Sequence, residues 1–236
     1  MKEEIDKDNL PIHIAITMDG NGRWAKEKGK LRIFGHSNGT KSVRDVVEGA
    51  AEIGIKYLTL YAFSTENWKR PKKEVESLMT LLISTIHKEI KTLIKNNIKL
   101  ITIGETKELP KKCAEELKNA IQETEKNTRM TLTLALSYSG KWDIINAVKK
   151  IIRNDVLEEE ITYSKFQQYL STKNVPDPEL LIRTGGDYRI SNFLLWQIAY
   201  SELLFTKTLW PDFRKKDLYE AILEFQKRER RFGETK

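Results

Sequence analysis

A carboxylate and an arginine arrive together at the end of a short apolar run, in the turn Asp19-Gly20-Asn21-Gly22-Arg23-Trp24. Such a pair suits a metal-bridged phosphate. The carboxylate would hold Mg²⁺ and the guanidinium would hold the oxygen anions. The two glycines let the backbone turn sharply and approach a ligand closely. Comparable segments recur: Ser64-Thr65-Glu66-Asn67-Trp68-Lys69-Arg70, Ser137-Tyr138-Ser139-Gly140, and Arg183-Thr184-Gly185-Gly186-Asp187-Tyr188-Arg189-Ile190-Ser191. Turns are polar in any protein. Polarity alone does not explain why arginine gathers in these loops while lysine dominates the helices. Arginine is the better bidentate phosphate ligand. The expectation is one shared anion site collecting Asp19, Arg23, Arg70, Arg183 and Arg189 with several hydroxyls.

Each of these segments follows a β-forming run. Strands are expected near Ile12–Met18, Tyr57–Phe63, Ile98–Ile103, Leu132–Leu136, Leu180–Ile182 and Leu203–Phe205. Helical patterns fill the gaps, at about Thr40–Ile53, Lys72–Lys95, Lys111–Lys126, Trp142–Ile152, Tyr163–Leu170 and Lys215–Arg231. This alternation predicts an α/β fold, a single domain over residues 1–236 with a central parallel sheet flanked by helices. In such a sheet the loops after the strands emerge on one edge, where ligands bind. The helix around Val75–Ile94 is apolar on more than one face in its first half, beyond the stripe a surface helix needs. It is read either as a doubly buried or dimer-contact helix, or as one wall of a hydrophobic pocket. A pocket wall beside an anion site points to a substrate with a phosphate head and a hydrocarbon tail.

The 236 residues carry a net charge of +7, which favours anionic partners such as nucleic acid, lipid headgroups or phosphorylated metabolites. The chain shows no aromatic-basic strand pair or recognition-helix pattern, so nucleic acid is not expected as a partner. Lysines such as Lys26, Lys28 and Lys30 read mostly as solvated surface. Apolar stretches are broken well short of a membrane span, and the polar, acidic start MKEEIDKDNLP has no apolar signal region. Cys113 is the single cysteine, which rules out an intrachain disulfide. A cytoplasmic location is expected.

Two motifs mislead. Gly20-Asn21-Gly22-Arg23-Trp24-Ala25 formally matches a dinucleotide fingerprint. Arg23 and Trp24, however, are bulky where a pyrophosphate needs clearance, and the next strand ends too far on. No phosphate-binding Walker sequence occurs, which argues against a nucleotide-dependent enzyme. The three histidines lack metal-ligand spacing; His13 and His87 read as structural, and His36 as a phosphate contact.

In order along the chain, MDGNGRWA (Met18–Ala25), GH (Gly35–His36), TLYAFSTENWKRP (Thr59–Pro71), IRTGGDYRISNFLLWQ (Ile182–Gln197) and YSELLF…LWPDF (Tyr200–Phe213) resemble the cis-prenyltransferases. The resemblance implies a parallel sheet with a hydrophobic tunnel, a homodimer and a need for Mg²⁺. The implied activity is sequential cis-condensation of isopentenyl diphosphate onto farnesyl diphosphate. Its product would be undecaprenyl diphosphate, a lipid-carrier precursor for cell-wall polysaccharide. It also leaves room for a transient membrane-surface contact at product release.

By matching position, Asp19 would hold Mg²⁺ on the allylic diphosphate, with Glu202 completing the metal site. Gly20, Asn21, Gly22 and Arg23 would cradle that diphosphate, with Trp24, Arg32 and His36 nearby. Arg183, Arg189, Ile190 and Ser191 would hold isopentenyl diphosphate. Ser64, Thr65, Glu66, Asn67, Trp68 and Arg70 would organise the substrates. Family accounts put Asn67 where the proton is removed, but a neutral amide is a poor base. Met130 matches a tunnel-floor position, and Arg231-Phe232-Gly233 matches a C-terminal motif that reaches across the dimer. Asp187-Tyr188 departs from the usual family residues.

Overall fold

The computed structural model describes residues 2–230. Among these residues, six strands form one parallel sheet: β1 (His13–Thr17), β2 (Tyr57–Ser64), β3 (Ile98–Ile103), β4 (Met130–Tyr138), β5 (Leu180–Arg183) and β6 (Glu202–Phe205). The spatial order is β3-β4-β2-β1-β5-β6, with every pairing parallel. The chain leaves β1 toward β2 and later returns to the other side of β1 as β5. That divergence is a topological switch point, where α/β sheets open a crevice. It lies between the two strands that carry Asp19 and Arg183.

Seven helices of the described residues cover the sheet: α1 (Asn21–Glu27), α2 (Arg32–Ile53), α3 (Lys72–Lys95), α4 (Lys111–Glu123), α5 (Gly140–Arg153), α6 (Tyr163–Gln167) and α7 (Lys215–Gln226). The strand expectations hold. Two helical stretches differ from the sequence reading: α1, and the first two turns of α2, fall where loop was expected. Their glycines disguised them. Gly35 sits against the Asn21 carbonyl and Gly39 against the Trp210 ring, so near that a β-carbon would collide with either. Glycine here serves close packing rather than chain reversal.

Side chains alternate between the two faces. Ile14, Ile16, Leu58, Leu60, Leu132 and Leu136 join α2, α3, α4 and α7 in the larger core, whereas Ala15, Ala135, Tyr138 and Leu181 face a smaller cluster with Phe193 and Leu194. His13 is buried in β1, its ring bonded to Pro176 O and Thr59 Oγ1 at 2.6 and 2.7 Å. Burial lowers its pKa to about 4, so it is a neutral structural residue, as expected from sequence.

The wide apolar surface of α3 has two uses. Val75, Met79, Ile86 and Leu93 are buried in the core. Leu78, Leu81, Leu82 and Ile90, together with the buried Met79, Ile86 and Leu93, line a cavity of about 380 Å³ between the sheet, α2 and α3. The cavity reaches from Asp19 and Arg183 at the C-terminal edge of the sheet to Leu100 and Leu132 further down. The stretch of β4 from Tyr138 back to Leu132 corresponds to roughly 20 Å of strand. Among the described residues no helix is long and apolar enough to cross a membrane.

Candidate active site

The mouth of the cavity is built where β1 and β5 end. Thr17 and Arg183 pair in register, and Asp19 follows two residues after Thr17. Gly20 then takes φ +107, a left-handed conformation that suits glycine, and caps α1. Opposite it, Gly185 has φ +89 and lies where a β-carbon would sit 2.7 Å from Arg23 Nη2 and 3.0 Å from the Asp19 carbonyl carbon. The two glycine turns therefore bring the Asp19 and Arg183 loops into direct apposition.

Arg183 is 3% exposed. Its Nη2 donates to Asp19 Oδ2 at 2.7 Å, and its Nη1 donates to Arg189 O at 2.5 Å and Ser191 Oγ at 2.6 Å. The Asp19 carboxylate also accepts from Gly20 N at 2.6 Å and lies 3.3 Å from Arg23 Nη2. Burial pushes its pKa up, but the Arg183 bond, the Gly20 amide and the charges of Arg183 and Arg23 win, holding it below the ordinary value. It is an anion at neutral pH.

Asp187, which the sequence reading left outside the site, belongs to this cluster. Its Oδ2 lies 3.2 Å from Arg23 Nη2, 3.0 Å from Arg189 Nη2 and 3.7 Å from Arg183 Nη2. Two carboxylates thus hold three arginines over the cavity mouth. The available signal was a lone acid between two arginines after a glycine pair.

On the other side, His36 and Arg70 line the same cavity. Burial, then repulsion from Arg70 and Arg32, lowers the His36 pKa to about 4, and its buried Nε2 has no hydrogen-bond partner among the described residues. Burial and the adjacent Arg32 also lower the pKa of Arg70. A neutral imidazole with an orphaned nitrogen between two guanidiniums is a cradle for a multivalent anion. Glu74, 3.3 Å from Arg70 and 3.6 Å from Arg32, offsets only part of this charge.

The turn after β2 is fixed from below. Trp68 packs edge-on to Phe63 at 4.8 Å and donates to Ser137 Oγ at 2.8 Å, while Thr65 donates to Ser139 Oγ at 3.0 Å. Asn67 lines the cavity, and its Oδ1 accepts from Ser64 N at 3.1 Å. With that oxygen engaged, the amide has only its N–H donors left to offer, and a neutral amide is a poor base.

Asp19, Asn21, His36, Ser64, Asn67, Arg70, Arg183 and Ser191 are therefore gathered on one cavity. Gly20, Gly22, Arg23, Arg32, Thr65, Glu66, Trp68, Arg189 and Ile190 belong to the surrounding segments and are not part of that lining. Trp24 is buried, stacked on Phe34 at 5.7 Å with Lys28 over its ring at 4.6 Å, and it packs α1 onto α2. Glu202 stands apart from these residues within the chain. It is the first residue of β6, in register with Leu180, so it lies at the N-terminal edge of the sheet, opposite Asp19. There it accepts from Arg228 Nη1 at 3.0 Å. Within one chain, Asp19 and Glu202 cannot share an ion. Arg231, Phe232 and Gly233 lie outside the described residues.

Among the described residues no group of three His, Cys, Asp or Glu side chains could cage a metal. The donor set instead fits Mg²⁺ held by one carboxylate and completed by substrate phosphates and water. Asp19, ionised and half-buried at the mouth, is the residue that fits.

An anion cradle at a switch point, opening onto an apolar cavity, defines a protein for amphiphilic phosphate esters. Residues 17–233 match the family model described as putative undecaprenyl diphosphate synthase. The chain belongs to this prenyltransferase family. It is 57% identical over 230 residues to an isoprenyl transferase of Chlorobaculum tepidum, covering 96% of this chain and 87% of that protein. It is 52% identical over 236 residues to a Haemophilus influenzae protein named ditrans,polycis-undecaprenyl-diphosphate synthase ((2E,6E)-farnesyl-diphosphate specific), covering 98% and 99%. Among solved structures, lavandulyl diphosphate synthase from Lavandula x intermedia, crystallised with dimethylallyl diphosphate, superimposes with a TM-score of 0.93 at 34% identity. A probable undecaprenyl diphosphate synthase from Campylobacter jejuni gives 0.82 at 34% identity; each comparison covers 96% of this chain and 100% of the other.

Proposed function

We propose that this chain extends farnesyl diphosphate with isopentenyl diphosphate units in cis geometry to make undecaprenyl diphosphate. The observation that carries the reading is the continuity of the arginine-rich mouth with the apolar cavity: one end suits a diphosphate, the other a growing hydrocarbon.

In the reaction, the allylic C–O bond breaks and the diphosphate leaves with its electron pair. The alkene of isopentenyl diphosphate attacks the allylic carbon, and loss of a proton restores a double bond. Arg23, Arg70 and His36 are preorganised for the departing charge, with the backbone of the Gly20 turn beside them. Mg²⁺, held by Asp19, would further neutralise that charge. Arg183, Arg189 and Ser191 position the second diphosphate. Asn67 orients the reacting ends, and a diphosphate oxygen takes the proton.

A homodimer is part of the proposal. Ile145, Val148 and Ile152 form an exposed apolar row on α5, and β6 ends the sheet with Leu203 exposed. Glu202 lies on this edge strand, so a metal role for it requires donation to the site of a second copy. Membrane-surface contact at product release and a cytoplasmic setting accompany this reading.

Incubating the protein with farnesyl diphosphate, radiolabelled isopentenyl diphosphate and Mg²⁺, then sizing the products, tests the proposal. A 55-carbon product is expected; no label transfer to the allylic substrate would refute it.

Met130 bears on product length. Along β4 the cavity lining ends at Leu132, paired with Leu100, and Met130 lies two register pairs nearer the start of the strand, opposite Ile98, at 2% exposure. Met130→Ala is expected to open space behind Leu132 and lengthen the products. If Met130 is ordinary core, the variant instead loses about 2–5 kcal/mol of stability with unchanged products. Thin-layer sizing together with thermal melting separates these outcomes.

A further inference from the structure

Three segments that the reaction needs converge on a side chain outside the roles assigned so far. Asn192 follows Ser191 in left-handed backbone, with φ +61. Its Nδ2 donates to Glu66 Oε1 at 2.7 Å, on the turn that carries Asn67. Its Oδ1 accepts from Lys141 N at 2.9 Å, and its main-chain oxygen accepts from Gly140 N at 2.7 Å. Those two amides open α5, whose cap Ser139 is itself held by Thr65. The same loop presents Ser191 and the Arg189 carbonyl to Arg183.

We propose that Asn192 is a positioning residue that locks the Ser191–Arg189 loop to the Asn67 turn, setting the isopentenyl diphosphate subsite relative to the reacting carbons. The proposal rests on the prenyl-transfer reading above. The chemistry explains why asparagine stands here. It tolerates left-handed backbone, and its amide offers a donor and an acceptor at once. Aspartate would turn a second carboxylate toward Glu66, and glycine would keep the backbone while losing both side-chain bonds. Glu66 stays ionised. Burial raises its pKa, but the Asn192 amide, its own backbone N–H and the Ser64 and Thr65 hydroxyls lower it further. The bond is therefore charge-assisted.

The test uses N192G, N192D, E66Q and the double variant E66Q/N192D, with steady-state kinetics in Mg²⁺ and amide hydrogen exchange of the free protein. N192G is expected to raise KM for isopentenyl diphosphate about tenfold, the usual consequence of losing a hydrogen bond to a charged group. KM for farnesyl diphosphate should change by less than about twofold, because the cradle around His36 and Arg70 is untouched. Exchange should quicken in both segments, 64–70 and 189–192. N192D should be worse than N192G. E66Q/N192D should recover much of that loss, because the glutamine amide introduced by E66Q can donate to the new carboxylate. Equal rises in both KM values would overturn the proposal. So would a double variant no better than N192D, or unchanged exchange in residues 64–70. If N192G does not fold, E66Q probes the same bond from an exposed side chain. Should the wild-type protein fail to consume isopentenyl diphosphate, the reaction reading alone falls. The exchange pattern would then still show whether Asn192 ties the two loops.

Discussion

Asp19→Asn is expected to lower turnover by about 10³-fold or more while leaving the fold intact. Gly20 N and Arg183 Nη2 donate to different oxygens of Asp19, so asparagine keeps an acceptor for only one of them, at a cost of roughly 1–3 kcal/mol for the bond it loses. What disappears is the anion that can hold Mg²⁺ at the mouth, together with the electrostatic stabilisation that ion gives a departing diphosphate. Asp19→Ala removes the acceptor as well, and its loss should be at least as large. Activity in saturating Mg²⁺, measured beside circular-dichroism melting, decides the matter. Near-normal turnover from a folded variant would remove Asp19 from this role.

Arg183→Ala should be nearly as damaging, and different in kind from Arg189→Ala. Arg183 is 3% exposed and ties Asp19, Arg189 O and Ser191 together; Arg189 is 62% exposed, and its ion pair among the described residues is with Asp187. Removing Arg183 strips a half-buried carboxylate of its main partner, a change that costs about 3–5 kcal/mol when a buried pair is broken. Both substrates should bind less well, because Asp19 and Ser191 both lose their anchor. Arg183→Lys should not rescue, since one ammonium cannot replace a guanidinium that donates in two directions. Arg189→Ala should mainly raise KM for isopentenyl diphosphate, about tenfold, with little change in melting. Separate titration of the two substrates checks this. An Arg189 effect confined to the allylic substrate would reverse the assignment of the two diphosphate sites.

The sheet and the gathering of the arginines were legible because both rest on local signals. Short β-branched runs mark strands, and a parallel sheet sends every following loop to one edge. The same rule also held the placement of Glu202. A strand read at Leu203–Phe205 already puts the residue before it at the strand's beginning, on the far edge from Asp19. Motif order along the chain says which residues a family uses, not which end of a strand each occupies. The helicity of α1 and of early α2 was hidden by Gly20, Gly22, Gly35 and Gly39, because glycine signals a turn and a close helix contact equally well. Asp187 was overlooked because its importance lies in spacing from Arg23, a residue of α1 far away in sequence. Trp24 sits in the motif yet packs α1 against Phe34. The cavity itself is an arrangement of helices α2 and α3 over the sheet, and periodicity alone left its alternatives open.

The cavity under α3 also sets how tightly the protein holds a hydrocarbon chain of a given length. Leu78, Leu82 and Ile90 present apolar side chains to the cavity of about 380 Å³, and each methylene seated against such surface gains about 0.8 kcal/mol by leaving water. Dispersion contacts with the lining add to that gain. Under the proposed reaction each added isoprene unit then tightens the grip on the chain until the space is filled, and departure slows as the chain lengthens.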